Sequence, residues 1–595
     1  MNEKNSTLNN KTIIRLFFQT LFILLVTKVF LKYWLIPNIT ILYFIIAGIL
    51  LYSLLHLYNV KNLVFSSTAI LLNISVLVAY LIKNEFSFNA NIIIVILDII
   101  LLLFSSYLIL NFFCNLFEII SYRNYTSSID LTKTGIGKKS EFILITFFIF
   151  AMWFPYFLTY YPGLIFGDSL NSIYQALGIQ NWNNHFPILY TFFIKICIKF
   201  GLMLGNINLG YAFYTIIQMI AISCILSYVV CWLKHKNIIF LSVISCIYYA
   251  FEPSFPQHAI AMWKDGIFSV SLLYLCTLLF DLVLSKGELL RSKSFLLQNI
   301  ISIFIICFFR NNGVYIIAVI TISMLIYTFI DRQNYKEKIH YILTLCTIIF
   351  MVFIITGPIY KVLNIEDDEV EKYGILLQQM ARTVTDEGNI GTEELEFLNK
   401  LLPIEKYNEL YHPQIVDPLK WDKDFNKDFL AQNQLQFIKI WFKLLIKNPD
   451  IYIKAYLEMT YQYWTPNVWE NNHFKINITS GNLNSALTNP WWKNAQVKYY
   501  NILSNKWFDA TQIFSLTTPM IAIGILVWFM ILVMVYASIK KQLSLILSIV
   551  PCLGVLITLL IATPTSYWPR YMLVIYYMLP IFISIIPIIG RKTTS

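Results

Sequence analysis

Apolar runs of about twenty residues recur along almost the whole chain, and they constrain its fold more than any other feature of the sequence. The runs lie at about 13–36, 38–58, 63–83, 91–117, 142–159, 186–204, 208–233, 238–252, 260–284, 295–309, 314–330, 339–357, 513–538, 541–562 and 569–589. A bilayer core of roughly 30 Å is crossed by about twenty helical residues, so most of these runs are long enough to span a membrane. Only 13% of the 595 residues are charged, whereas a soluble domain carries about 25%. The sequence therefore predicts an all-α polytopic membrane protein.

The formal net charge of +11 is expected of a multi-pass protein, because Lys and Arg collect in cytoplasmic loops. It does not predict a nucleic-acid partner. Lys4, Lys11 and Arg15 precede or open the first run, so we expect the N-terminus in the cytoplasm. Counting crossings from there places the loop after run 142–159, with Asp168 in it, outside the cytoplasm.

The run at 186–204 decides the topology of everything that follows it. If this run crossed the membrane, the later basic loops would face outward, against the positive-inside tendency. We therefore expect 186–204, which carries Lys195 and Lys199, to be a juxtamembrane element that lies along or dips into the outer leaflet. This leaves about fourteen spans in the plasma membrane, with both termini in the cytoplasm.

Composition divides the chain into four parts. Residues 1–120 carry few ionisable side chains and are predicted to form an accessory transmembrane bundle. Residues 121–357 are predicted to form a second transmembrane module with a juxtamembrane loop at 160–207. Residues 358–510 are polar and aromatic and are predicted to form a mostly helical extracytoplasmic domain. Residues 511–595 are predicted to return as the C-terminal transmembrane helices.

An amphipathic pattern marks residues 436–447 of the polar part. Lys439, Lys443 and Lys447 recur every four residues beside Phe, Ile, Leu and Trp side chains, and Pro449 is expected to end the helix. Such a helix either lies on the membrane surface or covers the core of its own domain. The sequence leaves both alternatives open.

Several function classes are not expected from this sequence. Its nine cysteines lie in apolar stretches, and no pair has the spacing of a zinc or redox site, so we expect small core residues. The sequence also lacks His-Glu-x-x-His, Gly-x-Ser-x-Gly and the phosphate-binding loop Gly-x-x-x-x-Gly-Lys. Nucleotide hydrolysis by this chain is therefore not expected.

A polar stretch from Tyr161 to Gly178 carries one charged residue, Asp168. Gly-Asp-Ser followed by Leu-Asn-Ser-Ile-Tyr-Gln-Ala-Leu-Gly predicts an N-cap, two short turns and a glycine stop. A carboxylate at a helix N-terminus stays ionised and fixed in direction, and both properties suit a general base. Asp168 is thus predicted as a helix cap, as a catalytic base, or as both.

Further charged residues stand at the expected outer mouths of spans. Lys264 and Asp265 open run 260–284, and Arg310 and Arg570 each adjoin an apolar run. Arginines on the outer side run against the positive-inside tendency, so they are either interface anchors or an anion site. Phosphate is the commonest anion at a membrane surface, and Arg binds it with two parallel hydrogen bonds.

His185 lies just before Phe186-Pro187 and the next apolar run. It could bind a metal ion, bond a phosphate, or cap the following helix. The sequence alone does not choose among these roles.

These motifs, in this order and on one expected side, resemble the GT-C superfamily of membrane glycosyltransferases, which includes the protein O-mannosyltransferases and the aminoarabinose transferases. Asp168 matches the acid of the first outer loop in that superfamily. Asn184-His-Phe-Pro-Ile-Leu resembles its His-Pro-Pro-Leu element, with Phe186 in place of the first proline. Asp265 resembles the acid of the second outer loop. The resemblance covers about 140–360 and the last three spans, and it is greatest to an uncharacterised bacterial branch.

The resemblance implies a GT-C-like core and an enzyme that transfers a hexose or pentose from a polyprenyl-phosphate sugar. The acceptor would be an extracytoplasmic wall polymer, surface glycan or lipid, and the anomeric centre would be inverted. The catalytic residues would be Asp168, as general base, and Asp265. The donor phosphate would be bound by Lys264, Arg310, Arg570 and His185. The sugar or acceptor would be bound by Tyr161, Gln175, Asn311 and Trp263.

Some relatives use a divalent cation, and the resemblance allows Mg²⁺ or Mn²⁺ between His185, Asp265 and the donor phosphate. Two other functions stay open. One is a flippase for lipid-linked sugars, although such transporters usually place charges near the bilayer midplane. The other is a ligase or polymerase that transfers a whole glycan.

Overall fold

The computed structural model describes residues 10–36, 39–57, 63–88, 90–122, 129–130, 132–366, 369–468, 521–566 and 568–590. In these residues the secondary structure is helical, and extended pairing is limited to isolated β-bridges. The predicted all-α fold is therefore confirmed for the described part. Both termini and the second part of the predicted outer domain, 469–510, lie outside the described residues.

The helices of the first two predicted parts follow the apolar runs, except for α6 and α10, which lie between runs. They are α1 (Asn10–Tyr33), α2 (Thr40–Leu55), α3 (Leu63–Lys83), α4 (Ile92–Tyr122), α5 (Lys139–Thr159), α6 (Gly167–Leu177), α7 (Ile188–Met203), α8 (Ile207–His235), α9 (Ile239–Phe251), α10 (Ser254–Ile260), α11 (Lys264–Leu284), α12 (Lys293–Phe309), α13 (Gly313–Ile330) and α14 (Tyr335–Ile354). A π-helical turn, Ile355–Ile359, joins α14 to the short α15 (Tyr360–Val362).

The remaining helices belong to the polar domain and to the C-terminal part. The domain contains α16 (Gly374–Thr385), α17 (Thr392–Leu401), α18 (Ile404–Leu410), α19 (Asp417–Lys420), α20 (Lys427–Gln432), α21 (Gln434–Lys447) and α22 (Pro449–Thr460). The C-terminal part contains α23 (Ile523–Ile539), α24 (Val550–Ile561) and α25 (Leu573–Ile589).

Nine helices of the described chain are long and apolar enough to cross a membrane, or ten if the bent pair α9 and α10 is one span. Four shorter apolar helices, α2, α12, α23 and α24, have lengths of 10–17 residues. The predicted total of about fourteen spans needs these four to cross as well, so that total stays a prediction. Helix α7, the predicted juxtamembrane element, is in neither group.

Helix α11 lies at the centre of the transmembrane helices, and 83% of its most apolar window is buried. It packs against α8, α12 and α25. Its two ends carry different charged clusters: Asp281 near the C-terminal end pairs with Lys236 at 2.8 Å, whereas Lys264 and Asp265 open the helix. One end of the bundle is thus tied by a buried ion pair, and the candidate site lies at the other.

The polar domain has a hydrophobic core of its own, separate from that of the spans. Helix α21 buries Phe437, Ile440 and Leu444 in this core, so it covers its own domain, as one of the two alternatives predicted. Trp441 and Leu445 are half-buried against this core, whereas Leu435 and Ile446 are exposed. Helix α21 ends at Lys447 and α22 begins at Pro449, as expected for proline at a helix N-terminus.

The turn between α5 and α6 places Asp168 next to residues 260–263, the segment that precedes α11. The turn has a cis Tyr161–Pro162 peptide bond, and Gly163 follows with φ +126°. The amide of Met262 donates to the carbonyl of Leu164 at 2.8 Å, and the amide of Leu164 donates to Ile260 at 2.9 Å. This β-bridge fixes the two site segments side by side.

Gly163 has no room for a side chain, because a Cβ there would lie 2.2 Å from Thr215 Oγ1. Thr215 Oγ1 donates to the carbonyl of Pro162 at 2.8 Å, so moving it breaks a buried hydrogen bond. We expect Gly163→Ala to lower the midpoint of thermal unfolding in detergent, with a cost of about 1–3 kcal/mol from overpacking in addition to the cost of a positive φ.

The matched control is Gly178→Ala. Gly178 also has a positive φ, +75°, but nothing lies within 4 Å of its Cβ position. We expect this variant to lose only the backbone contribution, about 1 kcal/mol. Equal losses for the two variants would show that the close contact with Thr215 does not hold this turn.

Candidate active site

The charged residues predicted at the span mouths come together at one end of the bundle. Asp168 is the second residue of α6, so the predicted cap role is wrong: Phe166 occupies the N-cap position, and no side chain caps the helix there. Lys264 and Asp265 open α11, Arg310 lies between α12 and α13, and Arg570 lies just before α25. Two ion pairs join these segments: Arg570 with Asp168, and Arg310 with Asp265. The convergence brings residues about four hundred positions apart into contact.

The first pair joins a buried guanidinium to an accessible carboxylate. Arg570 Nη2 lies 2.9 Å from Asp168 Oδ2, and the side chains are 8% and 42% exposed. The same nitrogen donates to the hydroxyl of Tyr571 at 3.0 Å. The guanidinium lies 4.9 Å from the ring of Trp263 and 4.4 Å from that of Trp568. Arg570 Nε is buried and has no hydrogen-bond partner among the described residues.

The second pair is enclosed. Arg310 Nη1 lies 2.9 Å from Asp265 Oδ1, and the side chains are 11% and 2% exposed. The Arg310 guanidinium also lies 5.1 Å from the ring of Tyr571, and that of Arg570 lies 4.9 Å from the same ring. Tyr571 therefore contacts both arginines and holds the two ion pairs in one cluster.

Hydrogen bonds to the segment before α11 fix Asp168 and Asp265 relative to each other. The hydroxyl groups of Ser169 and Tyr190 both donate to the carbonyl of Met262. Gln218 Nε2 donates to the carbonyls of Ala259 and Ala261 at 2.9 and 2.6 Å. Because Ser169 follows Asp168 directly, the carboxylate is held close to the start of α11.

Electrostatics keep the Asp168 carboxyl ionised. The protein around this partly exposed side chain removes some of its hydration, which by itself raises its pKa, but the positive charges of Arg570 and Lys264 outweigh this effect and hold the pKa below its usual range. At neutral pH the group is therefore a carboxylate that can accept a proton, although it is a weaker base than an unpaired aspartate.

His185 lies between this cluster and the polar domain. Its carbonyl accepts from Lys264 Nζ at 3.5 Å, and its Nδ1 lies 3.5 Å from Glu371 Oε1. Burial and the charge of Lys264 lower the pKa of the His185 imidazole to about 4, so the ring is neutral at neutral pH. It is thus a weaker phosphate ligand than the sequence predicts, because it adds no positive charge.

Glu371 and Lys420 of the polar domain reach the edge of the site, and the sequence did not predict them as site residues. Lys420 Nζ lies 2.7 Å from Glu371 Oε1 and 2.9 Å from Asp417 Oδ1. Burial raises the pKa of the Glu371 carboxyl, but Lys420 outweighs this effect and the pKa lies below its usual range. Glu371 belongs to an acidic cluster visible in the sequence, whereas nothing in the sequence singles out Lys420.

The four residues predicted to bind sugar or acceptor have different surroundings. Trp263 stacks on Phe166 with 4.3 Å between ring centroids and covers Arg570. Asn311 Nδ2 donates to the carbonyl of Asn184 at 2.6 Å. Gln175 is buried, and its Oε1 accepts from the amide of Asn183 at 3.3 Å. Tyr161 is half-buried beside Phe157.

Gln175 and Asn311 therefore hold the loop that carries His185, and Trp263 encloses Arg570. Direct binding of sugar or acceptor by any of the four residues stays a prediction.

The side chains predicted to hold a metal ion do not form a ligand set. The described residues contain no group of three or more His, Cys, Asp or Glu side chains that could hold one. Asp265 is paired with Arg310, and His185 faces Glu371. These residues do not fit a divalent ion.

Residues 178–587, more than half of the chain, match the model of a protein family, DUF6020, which is described as a family of unknown function. The chain belongs to this family. No curated protein and no solved structure matches this DUF6020 member. The matched part includes the segments of His185, Lys264, Arg310 and Arg570, and it begins ten residues after Asp168.

The arrangement is suited to bind an anion next to an accessible carboxylate. Arg310, Arg570 and Lys264 carry three positive charges, against two on Asp168 and Asp265. Aromatic rings exclude water from both guanidinium groups, which strengthens their interaction with a charged ligand. An anion bound at Arg570 Nε would lie beside Asp168.

The neutral state of buried His185 makes the stability of the fold depend on pH. Its folded-state pKa of about 4 lies below the unfolded value of 6.5, so below pH 6.5 the unfolded chain binds the proton first. Stability is therefore lost as pH falls from about 6.5 towards 4. We expect a loss of up to about 2 kcal/mol between about pH 7 and pH 5, measured as the thermal midpoint in detergent.

His185→Gln removes the titrating group and should flatten this part of the pH dependence. The control is His340→Gln, because His340 is exposed and the variant should keep the parent's pH profile. An unchanged profile in His185→Gln would contradict the neutral buried state.

Proposed function

We propose that this protein is a membrane glycosyltransferase that transfers a sugar from a polyprenyl-phosphate donor to an acceptor hydroxyl outside the cytoplasm. The observation that carries the proposal is the Asp168–Arg570 pair. It places an accessible carboxylate 2.9 Å from a buried guanidinium whose Nε has no partner among the described residues. A base beside an anion site is the combination that sugar transfer from a phosphate requires.

Asp168 is the proposed general base. Its side chain is 42% exposed, whereas that of Asp265 is 2% exposed, so a hydroxyl from solution reaches Asp168 far more readily. The Asp168 carboxylate takes the proton of the acceptor hydroxyl while the oxygen of that hydroxyl bonds to the anomeric carbon. Asp265, also predicted to be catalytic, has a different task in this proposal: it holds the Arg310 guanidinium in place.

The cations bind the leaving group. As the bond between the anomeric carbon and the phosphate oxygen breaks, its electron pair stays on that oxygen. Arg570, Arg310 and Lys264 stabilise the resulting charge in a water-poor setting. Attack from the side opposite the phosphate inverts the anomeric centre, and the products are the glycosylated acceptor and polyprenyl phosphate.

The donor phosphate and Asp168 compete for Arg570 in this scheme. Without donor, the carboxylate neutralises a guanidinium that would be costly to bury alone. When the phosphate binds at Arg570 Nε, it shares the guanidinium charge, so Arg570 stabilises the carboxylate less and Asp168 becomes a stronger base. Donor binding thus prepares the base for the acceptor.

A sugar-lipid flippase is supported less well than an enzyme. In the structure the described charged side chains of α11 lie at its two ends, Lys264 and Asp265 at one and Asp281 at the other. A transporter site is expected near the middle of the spans. A ligase or polymerase would use the same base and cations and would differ only in its donor glycan.

The proposal places the site at the outer face of the plasma membrane. The basic residues of the chain support this orientation through the positive-inside tendency. The expected partners are a lipid-linked sugar and an acceptor such as a wall polymer, a surface glycan or a lipid.

The role of Asp168 is tested by Asp168→Asn in proteoliposomes supplied with short-chain polyprenyl-phosphate sugars. We expect transfer to fall by about 100-fold or more, because a general base contributes about that much. Binding of polyprenyl phosphate should be retained or tightened, since Arg570 is released. The control is Asp386→Asn, which removes an Arg382 partner in the polar domain, 2.9 Å away, and should leave transfer unchanged. Parental transfer by Asp168→Asn would reject the enzyme and favour a transporter.

The anion site is tested by Arg310→Ala and Arg570→Ala with undecaprenyl phosphate as ligand. Each variant should weaken binding by about 10- to 100-fold, the value of a charge-assisted hydrogen bond. Arg570→Lys should recover only part of the affinity, because Lys lacks the planar fork. The control Arg291→Ala removes an exposed ion pair with Glu337 and should bind like the parent. Parental affinity in both site variants would show that these arginines are structural.

A further inference from the structure

The polar domain contacts two loops of the transmembrane part, the loop that carries His185 and the segment before Arg570. The amide of Asn184 donates to the carbonyl of Glu366 at 2.8 Å, and the amide of Glu366 donates to Trp182 at 3.0 Å. The amide of Val416 donates to the carbonyl of Pro564 at 3.1 Å, and the amide of Ser566 donates to the carbonyl of Gln414 at 3.2 Å. The first bridge holds the loop of His185, and the second holds the segment that leads to Arg570.

Glu371 adds a side-chain contact to the first of these loops. A single carboxylate oxygen, Oε1, lies 2.7 Å from Lys420 Nζ and 3.5 Å from His185 Nδ1. Lys420 is buried, with a side chain that is 3% exposed, and Asp417 holds it from the other side at 2.9 Å. The position of Glu371 is therefore set by the domain.

The loop of His185 in turn contacts the cationic side of the site. The His185 carbonyl lies 3.5 Å from Lys264 Nζ. The Asn184 carbonyl accepts from Asn311 Nδ2 at 2.6 Å, and Asn311 follows Arg310 directly. A displacement of this loop would thus release Lys264 and the segment of Arg310 together.

We propose that Glu371 is a positioning residue of the candidate site: held by Lys420, it fixes His185, whose loop fixes Lys264 and Asn311 beside the arginines. The 3.5 Å separation between Glu371 Oε1 and His185 Nδ1 limits how the ring can turn, and a carboxylate oxygen can only accept a hydrogen bond from that nitrogen. Glu371 thereby positions the ring, as carboxylates do for histidines in other active sites. The polar domain is then part of the active site and not an appendage.

The catalytic consequence rests on the proposed function, whereas the positioning itself is measured without catalysis. In Glu371→Gln the side chain keeps its size but loses its charge. We expect faster amide hydrogen exchange over residues 182–187 and unchanged exchange in α21 and α22. We also expect the turnover number to fall by about 10- to 100-fold, the usual effect of a small misplacement at a reacting centre. Affinity for undecaprenyl phosphate should fall by less than in Arg310→Ala, because both guanidinium groups remain.

The matched control is Glu366→Gln. Glu366 lies in the same segment, and its side chain contacts exposed Asn181 at 3.2 Å. The variant removes the same charge and keeps the backbone bridge, so its exchange and turnover should match the parent. Glu371→Asp serves as the conservative variant: it keeps the charge for Lys420, and it should restore part of the lost turnover.

A double-mutant comparison with His185→Asn tests whether Glu371 acts on the site through His185. If Glu371 acts through His185, adding Glu371→Gln to His185→Asn should cause little further loss, because neighbouring groups in one network are not additive. Independent losses would overturn the proposal. Parental hydrogen exchange over 182–187 in Glu371→Gln would overturn it as well, whether or not the protein transfers sugar. Absence of sugar transfer in the parent protein, with the exchange difference present, would reject the proposed function and keep the positioning role.

Discussion

The candidate site depends on how the chain buries a guanidinium at the mouth of its spans. A buried charge without a partner costs several kcal/mol, and Arg570 is 7% exposed. Asp168 supplies the opposite charge, and the rings of Trp263, Trp568 and Tyr571 cover the guanidinium. Because Nε is left without a partner among the described residues, only some of the hydrogen-bond donors of Arg570 are paired. The unpaired Nε donor makes Arg570 suited to bind an anion.

Backbone contacts between distant segments hold this cluster together. The bridge between Leu164 and Ala261 joins the turn before α6 to the start of α11, and Gln218 binds the carbonyls of the latter segment. The polar domain adds two bridges of the same kind on the other side. Each bridge satisfies polar backbone groups where the helices end, which is where a membrane protein would otherwise leave them unpaired. The irregular segments that carry the site residues are thus held on both sides.

Much of the fold follows from the sequence, because apolar length and helix signals are local. The stop of α6 at Gly178 and the end of α21 at Lys447 lie where the residues predict them, whereas α11 begins at Lys264, four residues after the start of the predicted run. The structure brings Asp168, Asp265, Lys264, Arg310 and Arg570 together at one end of the bundle. The side of the membrane on which they lie stays a prediction. The sequence could not show which carboxylate pairs with which arginine, since that depends on packing between α6, α11 and α25. It also missed Glu371 and Lys420, because a contact between separately folded parts leaves no periodic pattern.

What the sequence by itself determined is therefore the all-helical membrane class and the residue types available at the span mouths. Those features are set by transfer free energies and local geometry, which act residue by residue. Only the tertiary structure decided that Asp168 is accessible and Asp265 enclosed, and that His185 faces the polar domain. Exposure and pairing depend on which segments lie against each other, and that is a property of the whole packed chain.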